Sequence, residues 1–291
     1  MRIVVIGSAG RVGAALARHF RQQGHAVIAF DRKALDLTRA EIVQDRLGPL
    51  AFDACINAAA LTNVDYCEAH PAEACAANAE GPARLAEICA SRRRRFVHLS
   101  TDYVYDGTQP GLRAETDDTQ PVNVYAQSKL DGEQRVLEKS AGSALVVRTS
   151  WIFGPDRAAF PDSIIERAKK SDYVEAIADK RSVPTYSLDF AAHLEPLVTG
   201  PDPGLICGLL NLCNHNPATW HTYAQTALDL AAELGVPLRC RRVTPTSLAS
   251  VSFGARRPVH TAMSTEKFTA LTGQRPRPWQ DALAEYLKTY Y

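Results

Sequence analysis

The 291-residue sequence lacks the motifs and the charge imbalance that mark several common classes of protein. Its seven cysteines include no Cys-x-x-Cys pair, and no His-Glu-x-x-His motif is present, so no metal or redox site is predicted. Lysine plus arginine number 33 and aspartate plus glutamate 32, a net charge of +1 that gives no reason to expect nucleic acid or an anionic membrane as a partner. No apolar segment approaches the length needed to span a bilayer.

Cysteine usage and the first residues of the chain both indicate a cytoplasmic protein. An odd number of cysteines, several in apolar surroundings such as Cys55, is typical of reduced and buried thiols. The apolar run at residues 2–6 is too short for a secretory signal and stops at a glycine turn. We therefore expect a cytoplasmic location.

The first 31 residues have the pattern of a strand, a glycine turn, a helix and a second strand. The β-branched run at 2–6 is followed by Gly-x-x-Gly-x-x-Gly at 7–13, and a helix with an apolar stripe ends at Gly24. A second apolar run at 26–30 leads to Asp31. Glycines let the backbone approach a pyrophosphate, whose charge a helix N-terminus favours, and an acidic residue after the second strand meets a ribose hydroxyl. The pattern predicts a dinucleotide-binding βαβ unit rather than a plain tight turn.

Alternating strand and helix signals continue to about residue 150 and predict an α/β fold, a doubly wound parallel sheet of the Rossmann type. Frequent prolines beyond that point indicate a smaller, irregular α/β lobe that binds substrate. We expect residues 1–150, completed by part of 174–200, to form the dinucleotide-binding domain, and 151–173 with 201–291 to form the lobe. The further predicted elements are strands at 53–57, 96–100 and 144–148 and helices at 39–47, 71–91 and 124–140, the first helix beginning with a capping box at 38–41.

A tyrosine and a lysine four residues apart, Tyr125 and Lys129, would share one face of the helix at 124–140. A nearby ammonium favours a phenolate, so Lys129 is expected to lower the pKa of Tyr125. Thr101, at the end of a predicted strand, adds a hydroxyl. Ligands of doubly wound sheets bind beyond the carboxyl ends of the strands, where these groups would meet the glycine turn. The combination is suited to protonating a carbonyl.

Several segments resemble the dTDP-4-dehydrorhamnose reductase family of extended short-chain dehydrogenases/reductases, and the resemblance covers nearly the whole chain. Its discriminating parts are Ser-Thr-Asp-Tyr-Val-Tyr-Asp-Gly at 100–107 and Arg-Thr-Ser-Trp at 148–151. Residues 57–65, 123–133 and Arg256-Arg257-Pro258 also match. Related sugar-nucleotide 4,6-dehydratases have Thr-Asp-Glu where this chain has Thr-Asp-Tyr, which argues against elimination chemistry.

The resemblance implies reduction of the 4-keto group of a nucleotide-activated deoxysugar by NADPH or NADH, most closely of dTDP-4-dehydro-L-rhamnose to dTDP-L-rhamnose. It implies that Tyr125 donates the proton, Lys129 holds the ribose and Thr101 hydrogen-bonds the carbonyl. The predicted cofactor-binding residues are Gly7, Gly10, Arg11, Val12, Gly13, Asp31, Arg32, Asp36, Leu37, Ala58, Ala59, Ala60, Leu99, Tyr125 and Lys129. The predicted substrate-binding residues are Thr62, Val64, Thr101, Asp102, Tyr125, Trp151, Arg256 and Arg257.

Several of these assignments leave an alternative open. Asp31 favours NADH, because it repels a 2′-phosphate, whereas the basic residues 32 and 33 could bind that phosphate. Without the family, Trp151 would be read as a core tryptophan. Arg256 and Arg257 suit a substrate diphosphate but equally suit a solvated position or an ion pair within the lobe.

Departures from the family pattern concentrate on the substrate side. The common Asp-Gln-x-Gly-x-Pro-Thr has Lys180 and Ser182 in place of its glutamine and glycine, and an Asn-Phe pair has Ala159 in place of its asparagine. Ala15 replaces a glutamate that bridges some family dimers through a metal ion, so we expect a monomer or homodimer without such a bridge. Three alternatives therefore stay open: a 4-ketoreductase of another nucleotide sugar, an epimerase or dehydratase of the same fold, and a non-catalytic NAD(P)-binding regulatory subunit.

Overall fold

The apolar runs of the sequence form the strands of one parallel sheet in the computed structural model, which describes residues 1–200 and 206–291. The described strands are β1 (Arg2–Ile6), β2 (Ala26–Phe30), β3 (Ala54–Asn57), β4 (Arg95–Thr101), β5 (Leu145–Thr149), β6 (Ile152–Phe153), β7 (Glu175–Ile177), β8 (Arg181–Ser182), β9 (Thr185–Tyr186), β10 (Gly208–Asn211), β11 (Ala218–Thr219) and β12 (Thr244–Thr246). The main sheet has the order β10-β5-β4-β3-β1-β2. Each of its pairings is parallel. This confirms the predicted doubly wound fold.

Helices connect and cover these strands. The described α-helices are α1 (Arg11–Gln22), α2 (Ala40–Leu47), α3 (Val64–Ala69), α4 (Pro71–Cys75), α5 (Gly81–Ser91), α6 (Val124–Lys139), α7 (Phe160–Lys170), α8 (Ser187–Thr199), α9 (Trp220–Glu233), α10 (Glu266–Thr272) and α11 (Trp279–Tyr290). Among the residues that the structure describes, no helix is both long enough and apolar enough to cross a bilayer.

The sheet is buried on both faces, as parallel sheets require. One face packs against α1 and α8, through residues such as Phe20 and Leu194. The other face packs against α2, α5 and α6, through residues such as Leu85 and Val136. The chain leaves β1 toward β2 on one side and β3 on the other, so the order of the strands reverses between β1 and β3. A crevice for a ligand is expected at that reversal.

The described residues after position 150 include an aromatic core, separate from the cores on the two faces of the main sheet. Tyr223 of α9 and Trp279 of α11 pack edge to face at 5.3 Å, and Phe153 stacks on Tyr186 at 5.2 Å. Short two-stranded ladders, β11 with β8, β12 with β7 and β6 with β9, replace a continuous sheet. The predicted irregularity of this region follows from these short pairings.

Two details of the prediction are wrong. The main sheet includes β10, which lies within the 201–291 segment assigned to the lobe, because its backbone pairs with β5. The predicted capping box is absent, since Arg39 is the N-cap of α2 and makes no side-chain capping bond. Thr38 instead donates to Asp36 at 2.7 Å. The predicted boundary at residue 201 lies outside the described residues, and the rest of the division stays a prediction.

Candidate active site

The glycine turn between β1 and α1 is closely packed. Gly7 has φ +84, and a Cβ on it would lie 2.6 Å from the backbone nitrogen of Ala59. A Cβ on Gly13 would collide with the carbonyl oxygen of Gly7. Gly10 is the N-cap of α1, whose first turn holds no acidic residue. The turn therefore leaves the positive end of the helix open to an anion.

A cavity of about 530 Å³ opens beside this turn, between the ends of β1, β2 and β3. Eight of the predicted cofactor-binding residues line it: Gly7, Gly10, Arg32, Asp36, Leu37, Ala58, Ala59 and Ala60. The lining also includes Ala9, Leu35, Thr38, Leu61, Ala72, Glu73, Ala76, Ala77 and Arg157, which sequence reasoning did not include. Seven of the 17 lining residues are alanines. Their small side chains leave room for a flat ring against this part of the wall.

Other predicted cofactor residues face elsewhere. The Asp31 carboxylate accepts the amide of Ala34 at 2.9 Å and shapes the turn after β2. The guanidinium of Arg11 donates to the carbonyl oxygens of Arg157 and Ala158, at 3.1 and 2.6 Å. Val12 packs against the core beneath the sheet. Contacts of these three residues with a cofactor stay predictions.

Tyr125 is held in the first turn of α6 by the cap before it. The Asn123 side chain accepts the amide of Ala126 and donates to the carbonyl oxygen of Arg256, both at 2.8 Å. Tyr125 packs edge to face on Tyr103 at 5.8 Å. Burial raises the pKa of Tyr125 above its usual value, and the neighbouring Thr101 hydroxyl acts in the opposite direction.

Lys129 lies one turn later on α6 and is 2% exposed. Its ammonium donates to the carbonyl oxygen of Leu99 at 2.7 Å. Burial lowers the pKa of Lys129 to about 8, and Glu133 opposes this change. The prediction that Lys129 lowers the pKa of Tyr125 is wrong for this structure. The largest influence on that pKa is desolvation of the phenol, which raises it.

His98 is a buried residue of this site that sequence reasoning missed. Asn57 Oδ1 accepts the amide of Ala59 at 3.1 Å, so its Nδ2 donates to His98 Nδ1, also at 3.1 Å. The imidazole proton then lies on Nε2, 3.4 Å from the Lys129 ammonium. Burial and the charge of Lys129 together lower the pKa of His98 well below its usual range. His98 is therefore neutral and leaves the Leu99 carbonyl as the main partner of the ammonium.

Asp102, 2% exposed, is held within the protein. One of its oxygens accepts hydrogen bonds from Ser182, at 2.6 Å, and from Thr261. The other accepts one from Thr101 at 3.3 Å. These bonds fix the position of Thr101 beside Tyr125, and the predicted contact of Asp102 with the sugar stays a prediction. Burial raises the pKa of Asp102, and the charge of Lys180 is the largest opposing influence.

Lys180, which stands in place of the family glutamine, is buried near this carboxylate. Its ammonium donates to the carbonyl oxygen of Pro258 at 2.6 Å and lies 4.6 Å from the centre of the Tyr103 ring. Burial lowers the pKa of Lys180 to about 8. The substitutions at 180 and 182 therefore meet at the carboxylate of Asp102.

Trp151 has a strained backbone, with φ 39°. Its indole nitrogen is buried and has no hydrogen-bond partner among the described residues. A left-handed aromatic residue and an unpartnered buried donor are both more typical of binding sites than of ordinary cores. The ring lies 5.9 Å from Trp220 and 5.9 Å from the Lys180 ammonium. These features favour the functional role predicted for Trp151.

The remaining predicted substrate residues differ in their surroundings. Arg257 pairs with Asp65 of α3 at 2.9 Å and lies over the ring of Phe253. This ion pair reaches into the first 150 residues, whereas the alternative left open by the sequence was a pair within the lobe. Arg256 is exposed. Val64 packs in the cluster that contains Tyr125, whereas Thr62 is exposed at the start of the same segment. Across residues 1–200 and 206–291, no cluster of three or more His, Cys, Asp or Glu side chains could hold a metal ion.

The whole chain, residues 1–291, matches the family model described as the RmlD substrate binding domain. The chain belongs to the RmlD family. This confirms the resemblance drawn from the motifs at 100–107 and 148–151.

Relatives of this RmlD-family chain match it over almost its full length. It is 35% identical over 288 residues to a probable dTDP-4,6-dihydroxy-2-methyloxan-3-one 4-ketoreductase of Streptomyces antibioticus, covering 98% of this chain and 94% of the relative. It is 34% identical to a dTDP-4-dehydrorhamnose reductase of Mycolicibacterium smegmatis, covering 98% and 84%. A dTDP-4-dehydrorhamnose reductase of Bacillus anthracis, solved in complex with NADP, superposes with a TM-score of 0.91 at 25% identity over 99% of both chains.

Proposed function

We propose that this protein reduces the 4-keto group of a dTDP-activated deoxysugar, using NADPH or NADH. The substrate that the family favours is dTDP-4-dehydro-L-rhamnose, which would give dTDP-L-rhamnose. The observation that carries the proposal is the meeting of Thr101, Tyr125 and Lys129 beyond the end of β4, in a chain whose relatives are named as reductases of this kind.

The cavity fits a dinucleotide. The glycine turn would hold the diphosphate, and the alanine wall, residues 58–60, would lie behind the dinucleotide. Arg32 and Asp36 lie at the end expected for the adenosine, with Arg32 Nε 3.6 Å from Asp36 Oδ2. Because a basic and an acidic side chain are both present there, NADH and NADPH are both candidates. When bound, the reduced nicotinamide supplies the hydride for the reduction. The Lys129 ammonium would hold the nicotinamide ribose.

The proton is assigned to Tyr125. Because burial raises the pKa of Tyr125, its phenol stays protonated at neutral pH and is ready to donate to the oxygen of the reacting carbonyl. Thr101 would donate to the same oxygen by turning its single hydroxyl proton from Asp102 to the substrate carbonyl. Lys129 would stabilise the phenolate left after the proton has moved, since a positive charge favours that form.

A second candidate substrate is a different dTDP-4-keto deoxysugar. The relative from Streptomyces antibioticus is named for such a compound. Lys180 and Ser182, in place of the family glutamine and glycine, both surround Asp102 beside Thr101. A changed wall at that position would alter which hydroxyl groups of the sugar are recognised.

We also infer the organisation of the protein. Residues 1–150, with β10 and α8, would form the dinucleotide-binding domain, since both elements join the main sheet or its core. The rest of residues 151–200 and 206–291 would form the substrate lobe. We propose a cytoplasmic monomer or homodimer that does not use nucleic acid as a partner.

The experiment compares Tyr125→Phe and Thr101→Val with a Tyr173→Phe control, whose tyrosine is 56% exposed in the second lobe. Oxidation of NADPH and NADH is followed with dTDP-4-dehydro-L-rhamnose, and cofactor binding is measured without the sugar. The proposal expects Thr101→Val to bind cofactor normally and Tyr125→Phe, which loses only the hydroxyl of a predicted cofactor contact, to retain measurable cofactor binding. Both variants should lose about 10²-fold or more of the rate. Wild-type protein that binds cofactor without oxidising it would favour another substrate or the regulatory alternative.

A further inference from the structure

The segment after β6 is clamped to the first helix of the dinucleotide-binding domain. Arg18 forms a two-pronged ion pair with Asp156, at 2.6 and 3.0 Å. Arg11 donates to the carbonyl oxygens of the next two residues, 157 and 158. Arg11 and Arg18 are seven residues apart, so both project from one face of α1. The segment is therefore held along that face of α1, beside the glycine turn.

This clamp places Arg157 at the wall of the cavity. Arg157 lines its wall together with Gly7, Ala9 and Gly10. The residue is exposed, and its side chain makes no ion pair or hydrogen bond with the part of the chain that the structure describes. The other arginine of the lining, Arg32, has Asp36 beside it. Of the two arginines in the lining, Arg157 is therefore the one that forms no ion pair with a described residue.

The sequence predicted that Arg11 would contact a phosphate of the cofactor. In the structure, two donors of its guanidinium, Nε and Nη2, are engaged by the backbone carbonyls of residues 157 and 158. Burial lowers the pKa of Arg11, the charge of Asp162 opposes this change, and the charge of Arg157 acts in the same direction as burial. Arg11 and Arg157 lie near a helix N-terminus whose first turn holds no acidic residue, so both guanidinium groups and the helix dipole favour an anion there, while Asp162 partly offsets the charge of Arg11.

We propose that Arg157, supplied by the second lobe, binds the diphosphate of the dinucleotide cofactor across the glycine turn. A guanidinium matches the geometry of phosphate oxygens, and Arg157 lines the cavity beside the residues that would cradle the diphosphate. The inference rests on the proposed function in requiring a nicotinamide dinucleotide as cofactor. It adds that the second lobe completes the cofactor site, with Asp156 and Arg18 as positioning residues.

The test measures dissociation constants of NADH and NADPH by nicotinamide fluorescence, without any sugar. Arg157→Gln should weaken both about 10-fold or more, because one charge-assisted contact to the shared diphosphate is lost. The loss should shrink at high salt. Arg135→Gln, which removes the same charge from an exposed position on α6, should bind as wild type does.

The Asp156→Asn variant distinguishes two effects: positioning of Arg157 by the Arg18–Asp156 ion pair, and the general electrostatic attraction of the protein for an anion. Removing an acidic charge near the site would by itself strengthen binding of an anion. If the Arg18–Asp156 pair positions Arg157, the variant should instead bind both dinucleotides several-fold more weakly.

The outcomes are distinct. Unchanged binding of both dinucleotides by a folded Arg157→Gln variant would overturn the proposal. Weakened binding of NADPH alone would also overturn it, by assigning Arg157 to the 2′-phosphate. Wild-type protein that binds neither dinucleotide would refute the proposed function, and this inference with it. A protein that binds both but reduces no sugar would refute only the proposed reaction.

Discussion

Replacing Lys129 with methionine is expected to stabilise the fold while removing activity. The pKa of Lys129 is about 8, against 10.5 for an unperturbed lysine. At about 1.4 kcal/mol per pKa unit, keeping this side chain charged at neutral pH costs the folded state roughly 3 kcal/mol. Methionine has no charge to bury, but it leaves the Leu99 carbonyl without its partner, at about 1 kcal/mol. We therefore expect a net gain of about 2 kcal/mol in the free energy of unfolding at pH 7.

The pH dependence of this gain follows from proton linkage. Between pH 8 and 10.5 the unfolded chain holds a proton at Lys129 that the folded chain has released, so wild-type stability rises relative to the variant. Below pH 8 both states are protonated and the full cost is present. The advantage of the variant should thus be largest below pH 8 and should disappear as the pH approaches 10.5.

Urea unfolding at pH 7 and pH 9.5 measures both effects, with Lys139→Met, exposed on the same helix, as the matched control. Comparison at equal pH removes the contribution of all other titrating groups. A Lys129→Met variant that is less stable than wild type at pH 7, or a stability difference that does not change between the two pH values, would refute the reasoning.

Three further substitutions test separate parts of the structure. Glu133→Gln should cost about 3–5 kcal/mol, because it leaves the guanidinium of Arg148 buried without its counter-charge, and urea unfolding should show a large loss. Gly13→Ala should destabilise the glycine turn by about 1–3 kcal/mol and weaken cofactor binding, since its Cβ meets the Gly7 carbonyl; unaltered titrations would contradict this. Trp151→Gly should be more stable than Trp151→Ala by about 1 kcal/mol, because only glycine adopts φ 39° without strain, and the reverse order in unfolding experiments would contradict it.

The fold of the first 150 residues could be predicted because local and tertiary preferences agree there. Each strand from β1 to β5 contains a short apolar run, and all of them except the edge strand β2 are largely buried. The sixth strand, β10, could not be found in the same way. Its four residues, Gly208–Asn211, are too short to show a period, and they become a strand because β5 offers an open edge.

The helix predicted at 71–91 shows how a tertiary contact alters a local pattern. The segment is helical, but Ala76–Glu80 forms a π turn between α4 and α5. Within that turn Asn78 donates to Ser128 and to the carbonyl oxygen of Leu61, both at 3.0 Å. The bonding partners lie in distant parts of the chain, so no periodicity within 71–91 could indicate them.

The candidate site was predictable where one motif carries it and not where distant segments meet. The glycine turn and residues 58–60 line the cavity as expected, because each follows directly on a strand. Arg157 was missed, because its place in the wall depends on contacts of its neighbours with α1. His98 was missed because a histidine inside a strand pattern carries no local sign of the lysine that lies against it.

The most direct test of the central claim is the fate of deuterium from the C4 position of labelled NADPH or NADH, incubated with dTDP-4-dehydro-L-rhamnose or another dTDP-4-keto deoxysugar. A 4-ketoreductase predicts stoichiometric oxidation of the cofactor and one deuterium on C4 of the sugar product. Tyr125→Phe should largely abolish this transfer while cofactor binding is retained. Cofactor that stays reduced while the sugar is isomerised or dehydrated, or deuterium found at any other carbon, would contradict the account.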